Sequence, residues 1–276
     1  MSGGFLEEMA RSSRARLHEA QRRHSPAALE QALRQLPAAP RLRLHASGFD
    51  LIAELKLRSP AQGELKGAGE DIASRVGAYA RGGAAAVSVL TEPGRFDGTL
   101  AHLESAAQVL RASDVPTMRK DFLVDPYQVL EARAAGAGGV LVILRMLPHA
   151  QTGALIECAH RLGLFVLLEA FDEADLELMR ELIAAAPAGT QLLAGLNCRD
   201  LTTLEVVPQR LLELAPRLPQ GVPRVAESGV TTAAQAAQVA RAGYQLILVG
   251  SALMRGADPA ALAAELLSAG RRAGER

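Results

Sequence analysis

The feature that most constrains this chain is an alternation that begins near residue 51, in which short apolar runs are separated by stretches carrying helix signals. The apolar runs cover residues 51–55, 86–90, 116–119, 139–143, 165–168, 192–196, 224–226 and 246–249, eight in all. Between them, Asp125-Pro126 opens YQVLEARAAGA, Asp172 opens EADLELMRELIAAA, Thr231-Thr232 opens AAQAAQVARAG and Asp258-Pro259 opens the last helical stretch, each a capping or first-turn signal. Gly82, Gly136, Gly163 and Gly243 stand where helices should stop. Strands that are apolar on both faces and alternate with helices imply a parallel sheet, because each parallel crossover needs a connecting element that covers the sheet. Eight such units predict an α/β protein of the (β/α)8 TIM-barrel class. An open doubly wound sheet is the alternative, but its glycine-rich turn after the first strand is missing; LRSPAQG stands there instead.

Before the alternation begins, residues 1–45 read as an N-terminal helical extension. Phe5, Leu6 and Met9 are spaced for one apolar face, and Ser25-Pro26 opens a second helix with Leu29, Leu33 and Leu36 at helical spacing. PAAP at residues 37–40 ends it. Residues 46–276 form the catalytic barrel of a chain expected to be a single domain. The extension is expected to cap the mouth of the barrel, or simply to pack against it.

Composition narrows the partners. Apolar residues make up 49% of the chain but are interrupted by charge everywhere, as Arg145 interrupts the run that starts at Gly138, so no membrane-spanning helix is expected. MSGGFLEEMARSSR lacks a secretory signal, and the two cysteines, Cys158 and Cys198, suit a reducing compartment, so a cytoplasmic location is expected. Thirty basic and thirty acidic residues cancel, which argues against nucleic acid or an anionic membrane as partner. The basic residues between 11 and 23 are expected to solvate a helix face. A phosphorylated small molecule is the expected partner, with the protein a monomer or at most a weak homodimer.

In a (β/α)8 barrel the polar groups at the C-terminal strand ends face the catalytic mouth. Read in order, these ends supply Glu54 and Lys56, then Thr91 and Glu92, then Arg119, Lys120 and Asp121, then Glu169, then Asn197, Arg199 and Asp200, then Glu227 and Ser228, and last Gly250 and Ser251. Any one of them alone could be half of a structural ion pair. Gathered at one rim they are costly unless they pair or hold a charged ligand. Crowding between Lys56 and Lys120 weakens proton binding and a neighbouring carboxylate strengthens it, a balance expected to suit a general acid near neutral pH. Glu169, at the end of the apolar run FVLL, is placed to act as base or proton shuttle.

ESGV at 227–230 and VGSALM at 249–254 form a second constellation. Gly229 and Gly250 would let backbone amides approach a ligand, and loops after strands seven and eight of such barrels frequently hold phosphate. Ser251 adds a hydroxyl, and Ser59 in RSPAQG is a weaker third contact. No histidine lies at a strand end, so a catalytic triad or histidine metal site is disfavoured; no metal or cofactor is expected, and Cys198 reads as a packing residue.

Taken in order, IAELKLRSPAQG, VSVLTEPGRFDGT, MRKDFLVDPYQVLEARAAGA, VLLEAFDE, GLNCRDLTT, AESGV and ILVGSALM resemble the indole-3-glycerol phosphate synthase family of tryptophan biosynthesis, over residues 50–255. The resemblance implies ring closure of 1-(2-carboxyphenylamino)-1-deoxyribulose 5-phosphate with loss of carbon dioxide and water. It implies that Lys120 is the general acid, Glu169 the catalytic glutamate, Lys56 a substrate contact that assists dehydration, and Glu54 the partner of these lysines. Asn197, Arg199, Glu227 and Ser228 would hold substrate, Ser59, Gly229, Gly250 and Ser251 the phosphate, and Phe96 and Phe122 the anthranilate ring. Ala61, Phe171 and Cys198 depart from the family's SPSKG, VEVH and NNRDL segments, which bears on rate and affinity more than on reaction type. Two other readings of the same rim are a Schiff-base sugar-phosphate aldolase and a non-catalytic barrel that binds phosphorylated metabolites.

Overall fold

The computed structural model describes residues 4–46, 48–65, 71–201 and 203–274. The expected ranges 1–45 and 46–276 thus include a few positions outside the described residues. Eight parallel strands close into a barrel: β1 Asp50–Leu55, β2 Ala86–Leu90, β3 Thr117–Lys120, β4 Gly139–Ile143, β5 Phe165–Ala170, β6 Leu192–Asn197, β7 Arg224–Glu227 and β8 Leu246–Val249. β8 pairs with β1 through Asp50↔Leu246 to Ala53↔Val249, which closes the ring. Helices follow the strands and cover the outside, and the one at Pro259–Gly274 packs against the start of β1, where Arg271 donates to the Phe49 carbonyl and pairs with Asp50. Among the described residues no helix is long and apolar enough to cross a membrane.

Capping follows the sequence signals. Asp125, Asp172, Thr232 and Asp258 each accept a backbone N–H in the first turn that follows them, and Gln235 completes a capping box with Thr232. Gly136, Gly163 and Gly243 take positive φ just past their helices; after Arg81 that role falls to Gly83, while Gly82 is still right-handed.

Several strands run one or two residues further than their apolar cores, so that Lys120, Glu169, Asn197 and Glu227 are strand residues rather than loop residues. Register then decides what these side chains meet. Glu54 aligns with Ser88, and Ser88 with Met118, two residues below Lys120. Met118 aligns with Gly139 and Gly139 with Phe165, so the level of Lys120 falls two residues below Glu169. Glu169 aligns with Gly195 and Gly195 with Val225, two residues below Glu227. Glu227 aligns with Leu248 and Leu248 with Ile52, two residues below Glu54. Every second strand climbs two residues, and Glu54, Lys120, Glu169 and Glu227 close into one layer of four side chains, the arrangement by which such barrels fill their interior. Immediately beneath, Ile52, Met118, Leu167 and Val225 are wholly buried members of an apolar cluster.

Two helices precede the barrel: α1 at Phe5–Arg23 and α2 at Pro26–Leu33. Ser25 caps α2 by accepting from Ala28 N–H as expected, but the helix stops at Leu33, ahead of Pro37, and leaves Leu36 exposed. The basic stretch on α1 is only partly a solvated face. Arg11, Arg22 and Arg23 are exposed and pair with Glu7 or Glu19, whereas Arg16 turns inward and grips Asp121 with two hydrogen bonds of 2.9 and 2.8 Å. The alternation of charge along α1 hides this, because Arg16 finds its partner 105 residues away.

Candidate active site

Above the apolar layer the barrel opens into a cavity of about 360 Å³. Every position that the family resemblance places at the site lines it: Glu54, Lys56, Ser59, Phe96, Lys120, Phe122, Glu169, Asn197, Arg199, Glu227, Ser228, Gly229, Gly250 and Ser251, whereas Thr91, Glu92, Arg119 and Asp200, also expected at the mouth, do not. The floor is the charged layer. Lys120 Nζ lies 2.9 Å from Glu169 Oε2 and 3.3 Å from Glu227 Oε2, and Lys56 Nζ, just past the end of β1, lies 2.6 Å from Glu54 Oε1. The carboxylates are almost wholly buried and the two lysines nearly so, as the apolar layer below and the packed helices around them require.

Burial and pairing work against each other here. Burial opposes the charge on Lys120, but Glu169, Glu227 and Glu54 more than offset it and hold the ammonium well above the usual lysine range. Lys120 is therefore protonated in the free protein, not poised near neutrality as expected from crowding with Lys56, because carboxylates rather than lysines are its nearest neighbours. An ammonium held in this way is a proton donor and not an amine nucleophile, which disfavours the Schiff-base reading. Burial also raises Glu54, yet Lys56, Lys120 and Arg199 bring it below the ordinary carboxylate range. Glu227 goes the other way: burial and the adjacent Glu169 push it well above that range, with Lys120 opposing only in part.

Alternation along β3 separates residues that the sequence had placed together at the rim. Lys120 points into the barrel; Arg119 points outward, donates to the Gln128 carbonyl at 2.8 Å and pairs with Asp121 and Glu131. Asp121 accepts from Thr91 at 2.7 Å, from Phe122 N–H and from Arg16, and although burial opposes its charge these partners hold it well below the usual carboxylate range. Arg119 and Thr91 therefore belong to a buried brace behind the site, and Glu92 caps the next short helix through Gly94 and Arg95 N–H. The period of two already distinguishes Lys120, in phase with buried Met118, from Arg119.

One wall of the cavity is aromatic. Phe122 stands edge-on to Phe5 of α1 at 5.8 Å and tilted to Phe96 at 6.2 Å. Leu141, Ile143 and Leu248 continue the apolar surface inside the barrel. Phe5 and Leu6 line the same cavity, so α1 forms part of the mouth rather than only packing beside it. Residue-level prediction missed them, since an apolar stripe on a helix reads the same whether it faces core or ligand.

The opposite wall is polar. Ser228 takes a left-handed conformation, φ 66°, and donates to Asn197 Oδ1 at 2.9 Å, while Arg199 N–H donates to the same oxygen at 3.0 Å. Gly229, Gly250, Ser251 and the nearly buried Ser59 complete this side. The need for glycine at 250 has a cause the sequence does not disclose: a Cβ there would run into the Glu54 carboxylate, just as one at Gly195 would run into Glu227. Gly229, φ 73°, lies against buried Cys198, whose thiol burial pushes up to about 11, so Cys198 packs as expected and is not a nucleophile. Phe171 is buried beneath the Arg145 guanidinium at 4.8 Å, and Ala61 lines the cavity. Among the described residues no cluster of His, Cys, Asp and Glu is arranged to hold a metal ion.

Fold and site together define a (β/α)8-barrel enzyme with two lysines and three glutamates at the floor of an aromatic-walled cavity. The chain belongs to the indole-3-glycerol phosphate synthase family, whose model matches residues 6–266. It is similar to the indole-3-glycerol phosphate synthase of Parafrankia sp., 44% identical over 268 residues and 96% of each chain, and to that of Nocardioides sp., 40% identical over 256 residues, 92% of this chain and 94% of the other. Among solved structures, thiamine phosphate pyrophosphorylase from Pyrococcus furiosus shares the fold, with a TM-score of 0.59 at 18% identity over 82% of this chain and 98% of the other.

Proposed function

We propose that the protein is a carboxy-lyase that converts 1-(2-carboxyphenylamino)-1-deoxyribulose 5-phosphate to indole-3-glycerol phosphate, a step of tryptophan biosynthesis. The observation that carries this reading is an ammonium, Lys120, held 2.9 Å from one carboxylate at the floor of an aromatic-walled cavity. Ring closure needs a proton on the ketone oxygen as the ring carbon attacks. Lys120 gives that proton, and Lys56 assists the later departure of the hydroxyl as water. Glu169 removes the proton from the methylene carbon that becomes part of the indole ring. Glu54 holds Lys56 in place through their 2.6 Å contact. Phe96 and Phe122 receive the anthranilate ring, Asn197, Arg199 and Ser228 the polyol, and Ser59, Gly229, Gly250 and Ser251 the phosphate. Phosphate binding then aligns the ring-closing atoms and lowers the entropic part of the barrier.

Incubation with that substrate tests the reading directly. The chain has no tryptophan, so the indole fluorescence of the product rises over a low background. Turnover is expected for the wild type, with kcat falling about 100-fold or more in Lys120→Ala, the scale of a lost general acid. No turnover by the wild type, or full rate in Lys120→Ala, would sink it.

A further inference from the structure

The charged layer contains more carboxyl groups than cations to pair them. Glu54 is matched by Lys56 at 2.6 Å and Glu169 by Lys120 at 2.9 Å, which leaves Glu227 as the third carboxyl with only a longer share of Lys120 at 3.3 Å. The groups facing it are Lys120 on β3, Glu169 on β5 and, across the layer, Glu54 on β1 with Lys56; Gly195 and Asn197 on β6 and Leu248 on β8 bring no charge. Arg199 at the mouth acts on Glu54 and is held by the Leu204 carbonyl. Glu227 Oε1 sits over Gly195, is wholly buried, and is reached by no protein donor among the described residues. A buried anionic oxygen without a donor is expensive, and a neutral carboxyl in the same place costs far less.

The proposed reaction requires a proton source. The substrate's carboxylate leaves as neutral carbon dioxide and its ketone oxygen leaves as water, so two protons go to that oxygen, one from Lys120 and one through Lys56, while the proton that Glu169 takes from carbon is passed back to replace the one Lys56 gave. Each turnover therefore consumes one proton. We propose that Glu227 rests as a neutral carboxylic acid and recharges Lys120 with the proton that ring closure consumes. In that step the Glu227 O–H bond breaks as a new N–H bond forms on deprotonated Lys120. Glu227 is left as a carboxylate and takes a proton from solvent once product has gone. With Glu227 neutral, Glu169 and Glu54 alone hold the Lys120 ammonium, which gives up its proton more readily than it would beside a further full negative charge at 3.3 Å. The upward shift of Glu227 caused by burial and by Glu169 agrees with this assignment.

The inference rests on the proposed reaction for its role, but its first test does not use substrate. Protein labelled with carbon-13 at its glutamate carboxyls is followed by NMR between about pH 4 and about pH 9. One glutamate is expected to keep a neutral-acid resonance at pH 7, and Glu227→Gln is expected to lack it. If all glutamates are ionised at pH 7, or if the resonance survives the substitution, the assignment is wrong whatever the protein turns over. Should Glu227→Gln not fold, Glu227→Asp removes the labelled carboxyl while keeping an acid, and the same two outcomes apply. The second test adds substrate: in Glu227→Gln, steady-state kcat should fall about 100-fold further than single-turnover release of carbon dioxide does. An equal fall in both would overturn the recharging role.

Discussion

Glu227 and Asp121 are both buried acids, and their neighbours drive them in opposite directions. Asp121 meets two guanidiniums and two hydrogen-bond donors and is held low; Glu227 meets another carboxylate and is pushed up. Their contributions to stability therefore have opposite pH dependence. Because Asp121's folded pKa is depressed, its contribution is present above the ordinary aspartate value of about 3.9 and is lost as pH falls below it towards the folded value. Because Glu227's folded pKa is raised, its contribution is full below the ordinary glutamate value of about 4.3 and declines as pH rises from there through the folded pKa, by about 1.4 kcal/mol per pH unit within that window. Urea unfolding of Glu227→Gln across pH should show this declining segment removed, with the variant gaining on wild type as pH rises above the ordinary glutamate value. An unchanged slope would mean that Glu227 is ionised in the native protein. At Gly250, alanine would force Glu54 off Lys56, so Gly250→Ala should lower kcat several-fold or more and disturb the site before it disturbs the fold.

Among the elements, α1 is the one whose role was hardest to read. Ser13 accepts from Gln128 at 2.8 Å, Arg16 grips Asp121, and the Tyr127 hydroxyl donates to the Ala20 and His24 carbonyls, so three points along α1 bind the segment that follows Lys120. That segment carries Phe122, which in turn meets Phe5 at 5.8 Å. Arg16→Met leaves Asp121 with Arg119, Thr91 and Phe122 N–H but without its bidentate partner. Partial exposure of Arg16 places the loss at the low end for a broken buried pair, about 3 kcal/mol, readable as a lower urea midpoint. The same variant should raise KM, because Phe5 and Phe122 form the aromatic wall; destabilisation with unchanged KM would reduce α1 to packing.

At the scale of the whole molecule, closure of β8 on β1 and the packing of Pro259–Gly274 against Phe49 tie the first and last units of the barrel into one core. A Cβ at Gly270 would overlap the Phe49 ring, so that helix is fitted closely to the start of the barrel. Unfolding is accordingly expected as one cooperative transition, with α1 released in the same step. Calorimetry alongside a fluorescent label on α1 would check this, and an earlier loss of α1 would count against it.

Much of this protein was legible in its sequence because the signals are local. Alternating apolar runs and capping residues such as Asp125, Asp172 and Thr232 set eight β/α units, and the residue type at each strand end named Lys56, Lys120, Glu169 and Glu227. What only the tertiary structure decided is how those ends meet. Barrel shear lifts every second strand by two residues, which turns four separated residues into one layer and makes Lys120's neighbours carboxylates rather than Lys56. The same closure buries Glu227 against Glu169 and sets Gly195 and Gly250 against carboxylates, and Asp121 draws in Arg16 from 105 residues away. Charge balance at a site depends on distances between residues far apart in sequence, and no local pattern carries those distances.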